Sequence, residues 1–192
     1  MNIYLIRHTL PKVAPGVCYG HADVDVASSF DRELKKLQPK LPQIVQPLLV
    51  SSPLRRCLKL AEEVAEHFVV PAIQTDKRLM ELNFGDWELK NWTDIPQGMV
   101  SEWSDEHIKQ APPNGESYVQ LHARAKHFFE ELSARKDIEH VLVFTHAGVI
   151  RALVSELAGM PLREASSIAV DYGSVTHISV ENGVTRLGLI NN

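Results

Sequence analysis

Three short apolar runs, Ile3–Ile6, Leu48–Val50 and Val141–Phe144, break off abruptly at Arg7, Ser51 and Thr145. Aliphatic and aromatic runs without polar alternation are the pattern of strands buried on both faces. Strands of that kind need a layer on each side of their sheet, and the chain carries helical patterns to supply it. After the second run, Leu54, Cys57, Leu58, Ala61, Ala65 and Phe68 share one helical face, with Ser51 or Ser52 as cap and Pro53 suited to the first position. After the third, Val149, Ile150, Leu153, Val154 and Leu157 mark a helix ended by Gly159 and Pro161. Phe30, Leu34, Leu37 and Leu41 indicate a helix limited by Pro39, and Tyr118, Leu121, Ala125, Phe128, Phe129 and Leu132 another that starts from Ser117. Shorter strands are expected near 72–75, 175–180 and 184–190, the last two joined at Asn182-Gly183, a strong hairpin signal. Strands alternating with helices predict an α/β fold with a mainly parallel sheet, and 192 residues suit one domain.

Two stretches lack periodicity. Residues 10–27 hold Pro11, Pro15, Gly16 and Gly20 and read as an irregular loop. Residues 81–114 hold all three tryptophans with Pro96, Pro112 and Pro113, which is too long for a plain connection and typical of a lid or binding loop. A net charge of −4 disfavours nucleic acid as a partner, so any anion site must be a local concentration of cations. Two distant cysteines, Cys18 and Cys57, suggest neither a disulfide framework nor a zinc knuckle. No basic leader and no membrane-length apolar run is present, so a cytoplasmic protein without membrane association is expected.

Ligands of open α/β sheets bind beyond the carboxyl ends of the strands, and there the reactive groups gather. Arg7-His8 closes the first run, Arg56 lies on the first turn after the second, and His146 follows the third at a helix start. Arg55 is about 100° from Arg56 around that helix, so the two do not face one ligand. A helix N-terminus with a histidine beside it can bind an anion, and a histidine flanked by guanidiniums suits nucleophilic attack on phosphorus. Glu81, opening the long loop, is a candidate general acid. Taken singly, His146 reads equally as a core histidine, Arg56 as a solvated helix charge and Glu81 as a surface carboxylate. Their coincidence at predicted strand edges favours a site.

The segments Leu5-Ile6-Arg7-His8, Ser51-Ser52-Pro53-Leu54-Arg55-Arg56, Glu81 with Phe84-Gly85-Asp86-Trp87-Glu88, Gly115-Glu116-Ser117 and Val143-Phe144-Thr145-His146-Ala147-Gly148-Val149-Ile150-Arg151 resemble, in order and across nearly the whole chain, the histidine phosphatase (phosphoglycerate mutase-like) superfamily. Cys18-Tyr19-Gly20-His21-Ala22-Asp23-Val24 is similar, more narrowly, to the α-ribazole phosphatases of cobalamin biosynthesis. The resemblance implies a three-layer sandwich forming a single domain over 1–192, with a lid insertion at 82–114. It implies a phosphomonoesterase in which His8 is the nucleophile, Arg7, Arg56 and His146 hold the phosphoryl oxygens, and Glu81 protonates the leaving oxygen. Tyr19, Gly20 and the Ala147 backbone would contact substrate, a small phosphomonoester. No cofactor or metal is implied, since the guanidiniums already supply the positive charge that transfer needs.

Four positions depart from the family pattern: Thr9, Leu60, Leu89 and Ala147, of which Leu89, in place of a glycine, suggests a different course for the lid. Other readings are a phosphoglycerate mutase, a broad-specificity sugar or nucleotide phosphatase, and a phospho-ligand binding module without turnover. A mutase lid should be rich in Lys and Arg, whereas 81–113 carries seven acidic residues against Lys90 and Lys109. A binding module would be expected to lose one of the two histidines, and both are present. A metallohydrolase is disfavoured because no His-Glu-x-x-His occurs and His122 and His127 are off one helical face.

Overall fold

A computed structural model describes residues 1–106 and 108–192, so His107 of the 82–114 stretch lies outside the described residues. The apolar runs form β1 (Asn2–Arg7), β2 (Leu48–Ser51) and β4 (His140–Thr145), joined by β3 (Ile73–Thr75), β5 (Val175–Glu181) and β6 (Val184–Leu187). The order is β3-β2-β4-β1-β5-β6. The first four strands run parallel, while β5 and β6 are antiparallel additions beside β1.

Alternation along the central strands sends side chains into two separate cores, as the pleat requires. Ile3, Leu5, Val50, Val141 and Val143 pack under α4 (Tyr118–Ala134) and α5 (Ala147–Leu157). Ile6, Leu49, Leu142 and Phe144 pack under α1 (Phe30–Leu37) and α2 (Arg55–Ala65) on the other face. The result is the expected helix-sheet-helix sandwich. Pairing of Arg7 with Thr145 and of Ser51 with Phe144 brings the carboxyl ends of β1, β2 and β4 level, so the residues that follow meet at one edge.

Helix starts show where local signals yield to tertiary ones. Ser117 caps α4 through a capping box with Gln120, as serine at that position should. Ser51 and Ser52 do not cap α2, which begins two residues beyond Pro53 after an extended Leu54. Its first N–H, on Arg55, instead donates to Asp23 at 2.6 Å, because Ser52 is engaged elsewhere. The tail hairpin turns through Asn182 and Gly183, both at positive φ, but β6 stops at Leu187.

Residues 81–114 contain a 3-10 turn (Gly85–Trp87) and one helix that the sequence pattern does not predict, α3 (Gln97–Glu106). Val100 and Trp103 pack it on a cluster with Cys18, Phe84, Trp87, Trp92 and Ile95, so tertiary contact rather than periodicity selects the helix. Trp87 is 4% exposed and serves packing. Leu89 has φ +64°, the left-handed conformation that glycine favours, so the chain keeps a glycine-like turn there with the leucine side chain 61% exposed. No helix among the described residues is long and apolar enough to cross a membrane.

Candidate active site

His8 follows β1 and is 2% exposed. Its Nδ1 lies 2.7 Å from the Thr9 carbonyl oxygen, which can only accept, so Nδ1 carries the proton. Nε2 is thereby left with its lone pair. Burial first, then the charges of Arg56 and Arg7, hold the imidazole pKa well below its ordinary value, against the opposing pull of the Thr9 bond. The downward shift favours the neutral ring, the form of an imidazole that can act as a nucleophile.

Arg7 and Arg56 flank it. Arg56 is fully buried on the first turn of α2, donating to the carbonyls of Gly20 (2.7 Å) and Ala22 (3.0 Å) and to His146 Nδ1 (3.2 Å). Arg55 points outward toward Asp23 and Asp25, as the helical angle between the two arginines anticipates. Arg7 donates to the Val170 carbonyl at 2.6 Å. The Nε atoms of both pocket arginines are buried without a hydrogen-bond partner among the described residues. Buried guanidinium donors left unpaired are costly, and an anion is the natural group to satisfy them.

His146, fully buried at the start of α5, lies 5.1 Å from His8 between ring centres. Its Nδ1 accepts from Arg56, so the neutral ring donates from Nε2 to Ser52 Oγ at 2.9 Å. Burial, reinforced by Arg56 and His8, holds its pKa well below the usual range. Glu81 accepts from the Leu82 N–H through Oε1 (2.9 Å) and from the Gly148 N–H through Oε2 (3.1 Å). Arg124 donates to the Glu81 carbonyl at 2.8 Å and pairs with Glu116.

These groups border a cleft of about 350 Å³. Arg7, His8, Tyr19, Glu81 and Ala147 line it, whereas Gly20, Arg56 and His146 are buried behind it. Val17, Cys18, Leu82, Phe84 and Trp92 form an apolar wall; burial, then Glu88, pushes the Cys18 thiol up to about 12. Arg151 and Ser166 are also on the lining, where Arg151 donates from Nε to the Ile168 carbonyl at 2.9 Å. No group of three His, Cys, Asp or Glu side chains among the described residues is disposed to hold a metal ion.

Sequence reasoning missed two contributors. Glu88, noted only as part of a motif, accepts from the N–H groups of Gly20, His21, Ala22 and Phe84 at 2.8–3.0 Å. It thus fixes the N–H side of the loop whose carbonyls hold Arg56. Tyr172 lies just before β5, and its ring sits 3.7 Å from the Arg7 guanidinium. No motif marks it; only the antiparallel placement of β5 beside β1 brings it to the site.

The family model of the histidine phosphatase superfamily (branch 1) matches residues 3–192, and the chain belongs to that superfamily, as a phosphoric monoester hydrolase. Adenosylcobalamin/alpha-ribazole phosphatase of Escherichia coli (strain K12) is 28% identical, covering 100% of this chain and 96% of the relative. Phosphoserine phosphatase 1 of Hydrogenobacter thermophilus is 28% identical, covering 94% and 87%. The crystal structure of the alpha-ribazole phosphatase from Shigella flexneri matches with a TM-score of 0.89 at 26% identity, covering 100% of this chain and 96% of that one.

Proposed function

We propose that this chain hydrolyses α-ribazole 5′-phosphate, a step of cobalamin nucleotide-loop assembly, through a phosphohistidine on His8. The observation that carries the chemistry is the single free nitrogen of His8, Nε2, set beside guanidiniums with unpaired donors. Nε2 attacks phosphorus as the P–O bond to the leaving group breaks, and Glu81 delivers a proton to the departing oxygen. Water then attacks the phosphohistidine, Glu81 takes its proton, the N–P bond breaks, and phosphate leaves with His8 restored. Arg7 stabilises the equatorial oxygens from the cleft lining, joined by Arg56 and His146 from their buried positions directly behind it. Tyr19, Gly20 and Ala147 shape the substrate seat, and residues 82–114 act as a lid whose apolar wall receives the leaving group.

Support for the particular substrate comes from the full-length likeness to α-ribazole phosphatases and from Trp92 and Phe84 on that wall, which suit a flat heterocycle. A second reading, a phosphoserine-type phosphatase, is favoured by Arg151, a cation on the cleft that suits a carboxylate. Turnover of α-ribazole 5′-phosphate, phosphoserine and 3-phosphoglycerate, measured side by side, separates them. The proposal expects the highest kcat/KM on the first, activity that survives exhaustive chelation, and an acid-labile phosphoenzyme trapped by rapid quench. His8→Ala should abolish both turnover and trapping. A better rate on either carboxylate-bearing ester would replace the substrate and leave the phosphatase.

A further inference from the structure

Residues 170–174 wrap the end of β1. Val170 accepts from the edge of the Arg7 guanidinium, Ser174 accepts from the Arg7 backbone N–H at 3.1 Å, and the Gly173 N–H reaches the Arg7 and His8 carbonyls at 3.2 and 3.3 Å. Tyr172, inside this wrap, presents its ring to the guanidinium at 3.7 Å and lies 5.6 Å from the His8 ring. Its hydroxyl is 2.9 Å from that of Tyr19, whose own ring lies 5.4 Å from the Arg56 guanidinium. Two tyrosines from distant loops therefore form one bridge, with a pocket cation against the ring at each end.

We propose that Tyr172 is a positioning residue for phosphoryl transfer, acting through Arg7, with Tyr19 as its counterpart at Arg56. A guanidinium on one carbonyl bond can still pivot about it. A ring against its face removes that freedom while leaving the remaining N–H groups aimed at the equatorial oxygens, because the face of an aromatic ring attracts the cation without consuming a donor. The hydroxyl pair ties the two rings and so sets the two cations relative to each other. Such preorganisation matters most when charge spreads over the phosphoryl oxygens in the transition state.

The inference rests on the proposed phosphatase reaction, so wild-type turnover of 4-nitrophenyl phosphate is measured first; no turnover would sink that reaction and this inference with it. Given turnover, Tyr172→Leu and Tyr172→Phe are compared on 4-nitrophenyl phosphate and α-ribazole 5′-phosphate, with inhibition by orthovanadate and by phosphate. Tyr172→Leu should lower kcat/KM on both substrates by the same factor, about 2- to 30-fold for a lost cation–π contact, and weaken vanadate more than phosphate. Tyr172→Phe, which keeps the ring, should recover most of the loss. Equal weakening of both inhibitors, or no change on either substrate, would reduce Tyr172 to a structural residue. A loss confined to the ribazole ester would make it a leaving-group contact instead. If Tyr172→Leu does not fold, the Phe variant still decides: a loss as large as that of His8→Ala would refute a role carried by the ring.

Discussion

The Gly148 N–H donates to Glu81 Oε2 at 3.1 Å, and a methyl group on Gly148 would fall 2.1 Å from Glu81 Oε1. The start of α5 thus holds the carboxylate and also leaves just enough room for it.

Gly148→Ala therefore tests the Glu81 assignment without touching its chemistry. The clash is with the end of a flexible side chain, and alanine is the better helix former, so stability should change by less than about 1 kcal/mol. Displacing the carboxylate should slow esters with poor leaving groups more than activated aryl phosphates, and Glu81→Gln should show the same split. Equal losses on both ester types would argue against acid catalysis by Glu81.

Glu88→Gln tests the loop whose carbonyls hold Arg56. Four N–H groups converge on that carboxylate, and an amide turns a donor toward some of them. Urea unfolding should show a loss of about 2–4 kcal/mol, accompanied by lower kcat. A variant as stable as wild type would mean that the loop is held mainly by other contacts.

The tryptophans divide by position. Trp92 lines the cleft, with Trp103 stacked behind it at 6.0 Å and 25°. Trp92→Ala should lose about 5- to 150-fold in kcat/KM on α-ribazole 5′-phosphate, equivalent to about 1–3 kcal/mol of stacking, and little on a small aliphatic ester. Trp103→Ala should act chiefly on stability. If Trp92→Ala affects both esters alike, the flat-ring account of the wall fails.

Both pocket histidines resist protonation in the folded state, whereas in the unfolded chain they take up protons near pH 6.5. Below that value the unfolded state binds more protons, so stability is complete above about pH 6.5 and falls as pH drops toward the folded values. Each histidine contributes up to about 1.4 kcal/mol per pH unit to that slope. His8→Asn and His146→Asn should each flatten the dependence of unfolding free energy between about pH 6.5 and 5. His21 and His177, lowered mainly by burial, will leave some slope. An unchanged slope in both variants would show that the pocket histidines are not the groups responsible.

Leu89 is expected to carry backbone strain. A non-glycine residue at φ +64° costs about 1–2 kcal/mol, which the flexibility of an unfolded glycine offsets by about 0.5–1 kcal/mol. Leu89→Gly should be neutral or up to about 1 kcal/mol more stable, and Leu89→Val less stable than wild type. Calorimetric melting of the three proteins is sufficient, and a destabilised glycine variant would show that the leucine side chain contributes where it lies.

Much of this architecture is local information. Uninterrupted apolar runs can be buried only between two layers, so the central strands and their flanking helices follow from composition along a few residues. Helical geometry alone separates Arg55 from Arg56, and a strand that stops at Arg7-His8 must present both at the sheet edge. Long-range events decided the rest. The Asp23 cap on α2 and the folding of residues 97–106 around Trp103 depend on partners far away in sequence. The protonated nitrogen of His8 depends on where one adjacent carbonyl points, a backbone angle that no side-chain pattern encodes. Tyr172 reaches Arg7 only because β5 pairs antiparallel with β1 across more than 160 residues. Sequence determined which groups this protein has to work with; their partners, and therefore their charges and directions, came from the tertiary fold, because hydrogen bonds and desolvation act through space and not along the chain.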